Sequence, residues 1–162
     1  MIVPELICSD LARSVEFYVA RLGFAVGYTR PRERFALLSF EGGAELMLEQ
    51  PVRRDRLFPR APLEHPYGRG MNLEISVADV RAVHARCSDL PLVLPLEERT
   101  YARETDEVRV RQFAVADPDG YVLRFTQSLP ADDVAVVEDV AGAGGGERDE
   151  DVRGADAGGA RH

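Results

Sequence analysis

Val3-Pro-Glu-Leu-Ile-Cys-Ser-Asp10 leads into a helical pattern, and Met71-Asn-Leu-Glu-Ile-Ser-Val-Ala-Asp79 does the same at an offset of 69. Further on, Gly43-Ala-Glu-Leu-Met-Leu-Glu-Gln50 is echoed at an offset of 77 by Gly120-Tyr-Val-Leu-Arg-Phe-Thr-Gln127. The chain therefore states one module twice, each copy reading strand, helix and three further strands. A half-open module of that kind must pack against its twin to bury its sheet. The expected fold class is α+β: two tandem βαβββ modules, over about 1–52 and 70–129, joined by a linker at 53–69 and forming one domain of residues 1–130.

Working outward, Ser9 or Asp10 can cap a first helix with an apolar stripe at Leu11, Val15, Tyr18 and Leu22, and Gly23 can end it. Asp79 opens the second, with Val80, Val83, His84 and Cys87 along one side and Pro91 beyond its end. Strands are predicted near 3–8, 25–30, 34–40, 44–50, 71–77, 92–97, 108–116 and 121–128, with turns at Glu41-Gly-Gly43 and Asp117-Pro-Asp-Gly120. Two long connections, 53–70 and 97–107, read as loops carrying aromatics, among them Phe58, Tyr67 and Tyr101.

The 162 residues suffice for one sizeable core. No secretory pattern opens the sequence and no apolar run approaches the length that spans a bilayer, so a cytoplasmic protein without membrane association is expected. Cys8 and Cys87 lie in different modules without CxxC spacing and read as two buried thiols. All 20 cations are arginines, and the net charge is -8. Nine carboxylates against three arginines in residues 131–162 give that stretch a net of -6, leaving about -2 on the body. Nucleic acid is an unsuitable partner, because phosphate binding needs a concentrated basic face. The same last stretch is dominated by Ala, Gly and acidic residues with no aromatic, and reads as a disordered acidic tail.

The repeated pattern resembles the vicinal oxygen chelate superfamily, whose members pair two βαβββ modules around a cleft. The resemblance covers about residues 2 to 129, and is carried by Cys8-Ser-Asp-Leu-Ala-Arg-Ser-Val-Glu-Phe-Tyr18 with Leu22-Gly-Phe24, and by Asp117-Pro-Asp-Gly-Tyr-Val-Leu-Arg-Phe-Thr-Gln127. Within it, Leu46-Met-Leu-Glu49, Gly68-Arg-Gly-Met-Asn-Leu73 and Arg124 look most like bleomycin-resistance proteins. The resemblance implies a curved sheet lining a cleft, helices on its outside, and a homodimer with crevices shared between subunits.

Period-two alternation assigns the faces of the strands. Leu6, Cys8, Leu46, Leu48, Leu73, Ile75, Val77, Leu123 and Phe125 are expected to meet the helices. The opposite face then presents Val3, Glu5, Ile7, Glu45, Met47, Glu49, Asn72, Glu74, Ser76, Val122, Arg124 and Thr126, joined by Phe35 and Gln112 from the third strand of each module. In metal-dependent members of the superfamily, His and Glu occupy cleft positions that align here with Val3, Met47, Asn72 and Arg124. A divalent ion wants three or four imidazoles or carboxylates, and a guanidinium cannot ligate one.

No histidine rescues an enzyme reading. His84 sits on an apolar helix stripe, His65 lies in the linker and His162 ends the tail. No Gly-x-Ser-x-Gly is present, and no cysteine has an evident His partner. Phe35, Tyr67 and Tyr101 offer flat surfaces for a planar heterocycle, while Met47, Glu49, Asn72, Glu74 and Arg124 supply the remaining contacts. The leading expectation is a metal-independent, cofactor-free and non-catalytic protein that sequesters bleomycin or a related cationic glycopeptide. Competing readings are a metal-dependent glyoxalase- or dioxygenase-like enzyme using the glutamates, and a binder of another small natural product.

Overall fold

The computed structural model describes residues 2–52 and 62–130. Most of the linker and the acidic tail, with the expectations placed on them, lie outside the described residues. The element order is β1 (Glu5–Ile7), α1 (Leu11–Glu16), β2 (Ala25–Arg30), β3 (Phe35–Phe40), β4 (Ala44–Glu49), β5 (Asn72–Ser76), α2 (Val80–Arg86), β6 (Leu92–Ala102), β7 (Glu107–Ala116) and β8 (Val122–Ser128). Each module builds its own four-stranded sheet, ordered β1-β4-β3-β2 and β5-β8-β7-β6, in which the first and last strands run parallel and the rest antiparallel. This is the tandem βαβββ architecture.

The repeat persists in the hydrogen bonds that seat the helices. Asp10 caps α1 by accepting from Arg13 N at 3.2 Å, and Asp79 caps α2 from Arg81 N and Ala82 N. Gln50 and Gln127, the paired ends of the second echo, accept through Oε1 from Leu11 N at 3.1 Å and Val80 N at 3.2 Å. The first helix continues past Glu16 as a wider π-type helix over Phe17–Leu22 and stops at Gly23, whose φ of 90° is the left-handed conformation glycine tolerates best.

Alternation sorts each sheet as expected. Leu6, Leu38, Leu46, Leu48, Ile75, Phe113, Leu123 and Phe125 join Tyr18, Leu22, Val80 and Val83 in one core drawn from both modules. Phe40 and Phe125 meet across the seam with ring centroids 5.9 Å apart. Polar links cross it as well: Tyr18 donates its hydroxyl to Asp117 Oδ2 at 3.0 Å, Tyr121 donates to the Ile7 carbonyl at 3.0 Å, and Ser9 N donates to Asp119 Oδ2 at 3.0 Å. Both cysteines are buried and free, Cys87 beside the seam with its thiol 3.6 Å from the Arg21 carbonyl.

The connection at 97–107 departs from expectation. It is a β-ribbon, with β6 and β7 paired from Glu98 against Arg111 to Ala102 against Glu107. On β7 the alternation of Val108 and Val110 marks the strand from 108 onward, but Glu98 to Ala102 of β6 are exposed and carry no apolar alternation. Cross-strand charge takes its place: Glu98 accepts from Arg109 at 2.6 Å and from Arg111 Nε at 3.0 Å.

Candidate functional site

The parallel pairs β1–β4 and β5–β8 set matching positions side by side. Glu5 stands opposite Met47 in the first module, and Glu74 stands opposite Arg124 in the second. Val3 precedes the first pair and is half-buried, and Asn72 is exposed opposite Val122. In the first module this places a thioether beside a carboxylate, and in the second a guanidinium.

On the second module the polar face closes into a continuous strip. Arg124 donates through Nη2 to Glu74 Oε2 in a short charge-assisted hydrogen bond, and Thr126 donates to Glu74 Oε1 at 3.2 Å. Beside Thr126 in register stands Gln112, 2% exposed, whose amide Nε2 donates to Glu97 Oε1 at 2.8 Å and to the Tyr101 hydroxyl at 2.9 Å. The amide orientation is fixed by chemistry, since a carboxylate acceptor demands the NH₂ end. Among the described residues, Arg124 Nε and Gln112 Oε1 are buried and have no hydrogen-bond partner. Buried polar atoms in that condition are met by water or ligand.

The structure thus brings Glu74, Arg124 and Tyr101 into one strip, with Asn72 at the start of the same β5 face. Phe35, Met47 and Glu49 share the polar face of the first module, where Phe35 pairs with Glu49 and Leu37 with Met47. Phe35 itself is 1% exposed, covered by the Arg30 guanidinium 3.8 Å from its ring centroid and flanked by Tyr28 at 5.8 Å. Tyr67 is not brought to either set: it packs on the shared core with the His65 ring 5.8 Å away. Glu97 and Thr126 belong to the strip although sequence reasoning gave them no role. Thr126 was legible from its face, but Glu97 was obscured by a register shift between Leu94 and Glu97.

His84 packs edge-on against Phe113 at 5.1 Å, and His65 Nε2 lies 3.2 Å from the Pro118 carbonyl. Burial pushes the Cys8 thiol up to about 12, which leaves essentially no thiolate at neutral pH. Among the described residues no group of three or more His, Cys, Asp and Glu side chains is placed to hold a metal ion. The residues at the four aligned positions do not fit a divalent ion, because Val3 and Met47 bring no hard donor and Arg124 brings positive charge. Among the described residues no helix is long and apolar enough to cross a membrane.

The chain is similar to several solved structures. A superfamily member from Vibrio splendidus 12B01 is 35% identical over 78% of this chain and 97% of its own, with a TM-score of 0.36. TioX from a Micromonospora species is 22% identical over 78% of this chain and 98% of its own, with a TM-score of 0.60. A virulence protein from Salmonella typhimurium is 23% identical over 80% and 96%, with a TM-score of 0.57. No curated protein matches the chain. A family model matches residues 2–125, nearly the whole of both modules, and the chain belongs to the glyoxalase/bleomycin resistance protein/dioxygenase superfamily.

Proposed function

We propose that this chain is a non-catalytic binding protein that sequesters a cationic glycopeptide antibiotic of the bleomycin type, in the cytoplasm and as a homodimer. The observation that carries the reading is the pairing of Arg124 with Glu74. It puts a guanidinium where metal-dependent members of the superfamily need a carboxylate or imidazole, and it neutralises the neighbouring glutamate. Binding features accompany it: the Arg30–Phe35–Tyr28 stack on one module, and on the other a polar strip ending in the half-exposed Tyr101. The polar faces turn away from the shared core, and a second copy would supply the opposing wall of a crevice.

The test is to incubate bleomycin with the protein, denature the complex and analyse the drug by mass spectrometry. Drug recovered intact, with saturable binding by calorimetry and a dimer by sedimentation, is the expected result. A modified drug, or one tightly held metal per chain by elemental analysis with turnover lost on chelation, would replace this reading with an enzyme built on the glutamates. Saturable binding of another natural product, with none of bleomycin, would keep sequestration and change the ligand.

A further inference from the structure

β6 ends the second sheet, and among the described residues no strand pairs with its far side. The hydrogen bonds fix which backbone groups stand on that edge. Arg103 N donates to the Asp106 carbonyl at 2.7 Å, and Leu129 N donates to the Arg109 carbonyl at 2.9 Å, so Arg109 turns its backbone to β8 and away from β6. Alternation along the antiparallel ladder then directs the N–H and C=O of Glu97, Arg99 and Tyr101 to β7, and those of Glu98, Thr100 and Ala102 outward. The open run is bounded at both ends. Pro95 has no N–H and a register shift separates Leu94 from Glu97, while the turn after Arg103 closes the other side. Sheets blunt exposed edges with prolines and bulges, and β2, an edge of the first sheet, has a register shift between Val26 and Tyr28. Residues 97–103 have no such interruption, and Thr100 is their midpoint.

Antiparallel pairing of this run with its own copy about Thr100 is the register in which the charges match. It sets Thr100 against Thr100 and Glu98 against Ala102 as hydrogen-bonded pairs, and Glu97 against Arg103 and Arg99 against Tyr101 as the closer, non-hydrogen-bonded pairs. A two-fold centred on Glu98 or Arg99 puts like charges opposite each other, and one centred on Tyr101 sets Arg99 against Arg103. The side chains are free to pair this way. Arg99 is exposed and has no partner among the described residues, and Arg103 meets only Asp106, at 3.8 Å. Glu97 accepts from the neutral Gln112 amide and meets no cation among the described residues. We propose that two copies of this chain join through residues 97–103 of β6, merging their second sheets into one continuous sheet. Glu97 and Tyr101 lie on the face of the polar strip, so the partner's Arg103 and the partner's Arg99 enter each strip beside them. The inference rests on the homodimer of the reading above and names the edge that joins it.

Sedimentation velocity of the full chain without ligand, from about 1 μM to about 1 mM, the span of weak to moderate complexes, is expected to show a reversible dimer. Amide hydrogen exchange followed by NMR should find the N–H groups of Glu98, Thr100 and Ala102 protected in the dimer, a protection that the ladder to β7 does not provide. Arg103→Glu turns two attractive pairs into two repulsive ones and should weaken dimerisation about tenfold, with loss of that protection. Arg81→Glu, the same change of charge on the exposed side of α2, should leave the dimer unaltered. Thr100→Pro removes the central outward donor without touching the ladder to β7, and should give a monomer that still melts cooperatively. A monomer throughout the range, a dimer unaffected by Arg103→Glu, or a dimer with a fast-exchanging Thr100 N–H would overturn the proposal. Protection of these amides in a monomer would do so too, by placing a segment of the same chain on the edge. A dimer joined elsewhere leaves sequestration standing, and intact β6 pairing with no bleomycin bound leaves this interface standing.

Discussion

The carboxylate of Asp117 accepts the backbone N–H groups of Asp119 and Tyr121 through Oδ1, each at 2.9 Å, and the Tyr18 hydroxyl through Oδ2 at 3.0 Å. Burial raises its pKa, and the hydrogen bonds it receives oppose that shift only in part. With the folded pKa above the unfolded one, its contribution to stability is fully present below the unfolded value of about 4 and is lost as pH rises through the folded value. Asp117→Asn keeps an acceptor for the two backbone donors and removes the titration. Its melting temperature relative to the parent should therefore become more favourable from about pH 4 to neutrality. A difference that does not vary with pH would show that Asp117 is not the titrating group. Asp117→Ala strands three donors, one of them the Tyr18 hydroxyl of the other module, and should cost about 3 kcal/mol in denaturant melts.

At the scale of elements, the segment entering β5 is held by close backbone approach. Gly68 N donates to the Asp119 carbonyl at 3.0 Å, and a Cβ on Gly68 would sit 2.2 Å from Tyr121 N and 2.4 Å from the Gly120 carbonyl carbon. Two backbones meet there, and neither is a flexible side-chain tip. Gly70, two residues on, has φ +75° but open space around its Cα. Gly70→Ala should thus cost about 1 kcal/mol from backbone conformation alone. Gly68→Ala should cost about 3 kcal/mol, the upper end of ordinary overpacking because both clashing atoms are backbone, and should also broaden NMR signals in the turn at 117–120. If the two variants melt alike, the segment does not dock on that turn.

Across the whole molecule, the two sheets share one core, and that arrangement fixes what can fold alone. Leu6, Leu38 and Leu48 contribute from one module and Ile75, Leu123 and Phe125 from the other. A fragment of either module would expose half of this surface and lose the Tyr18–Asp117 and Tyr121–Ile7 hydrogen bonds. Residues 1–61 or 62–130, expressed separately, should show no cooperative thermal transition, whereas mixing them should restore one. A cooperative melt by either fragment alone would mean that each module owns its core. The same sharing explains why ligand chemistry falls to the opposite faces, which the core does not consume.

The offset echoes, the paired caps at Asp10 and Asp79 and the alternation of Leu46, Leu48, Leu123 and Phe125 were legible because each is set by local geometry. Helix capping acts within a turn, and strand alternation follows from the pleat, so sequence alone determined the doubled βαβββ fold and the composition of its two faces. The strand at 108–116 was legible, but the extension of β6 over 98–102 was not, since its exposed residues are held by charge across the pair rather than by an apolar period. Which face residues meet was decided only in three dimensions. Phe35 was placed on the right face, but its burial under Arg30 depends on a neighbouring strand and a bulge. Tyr67 looked available in a loop and was drawn onto the core. Gln112 gained Glu97 and Tyr101 through a register shift. These are non-local events: they depend on register and on the packing of one module against the other, which no spacing along the chain encodes.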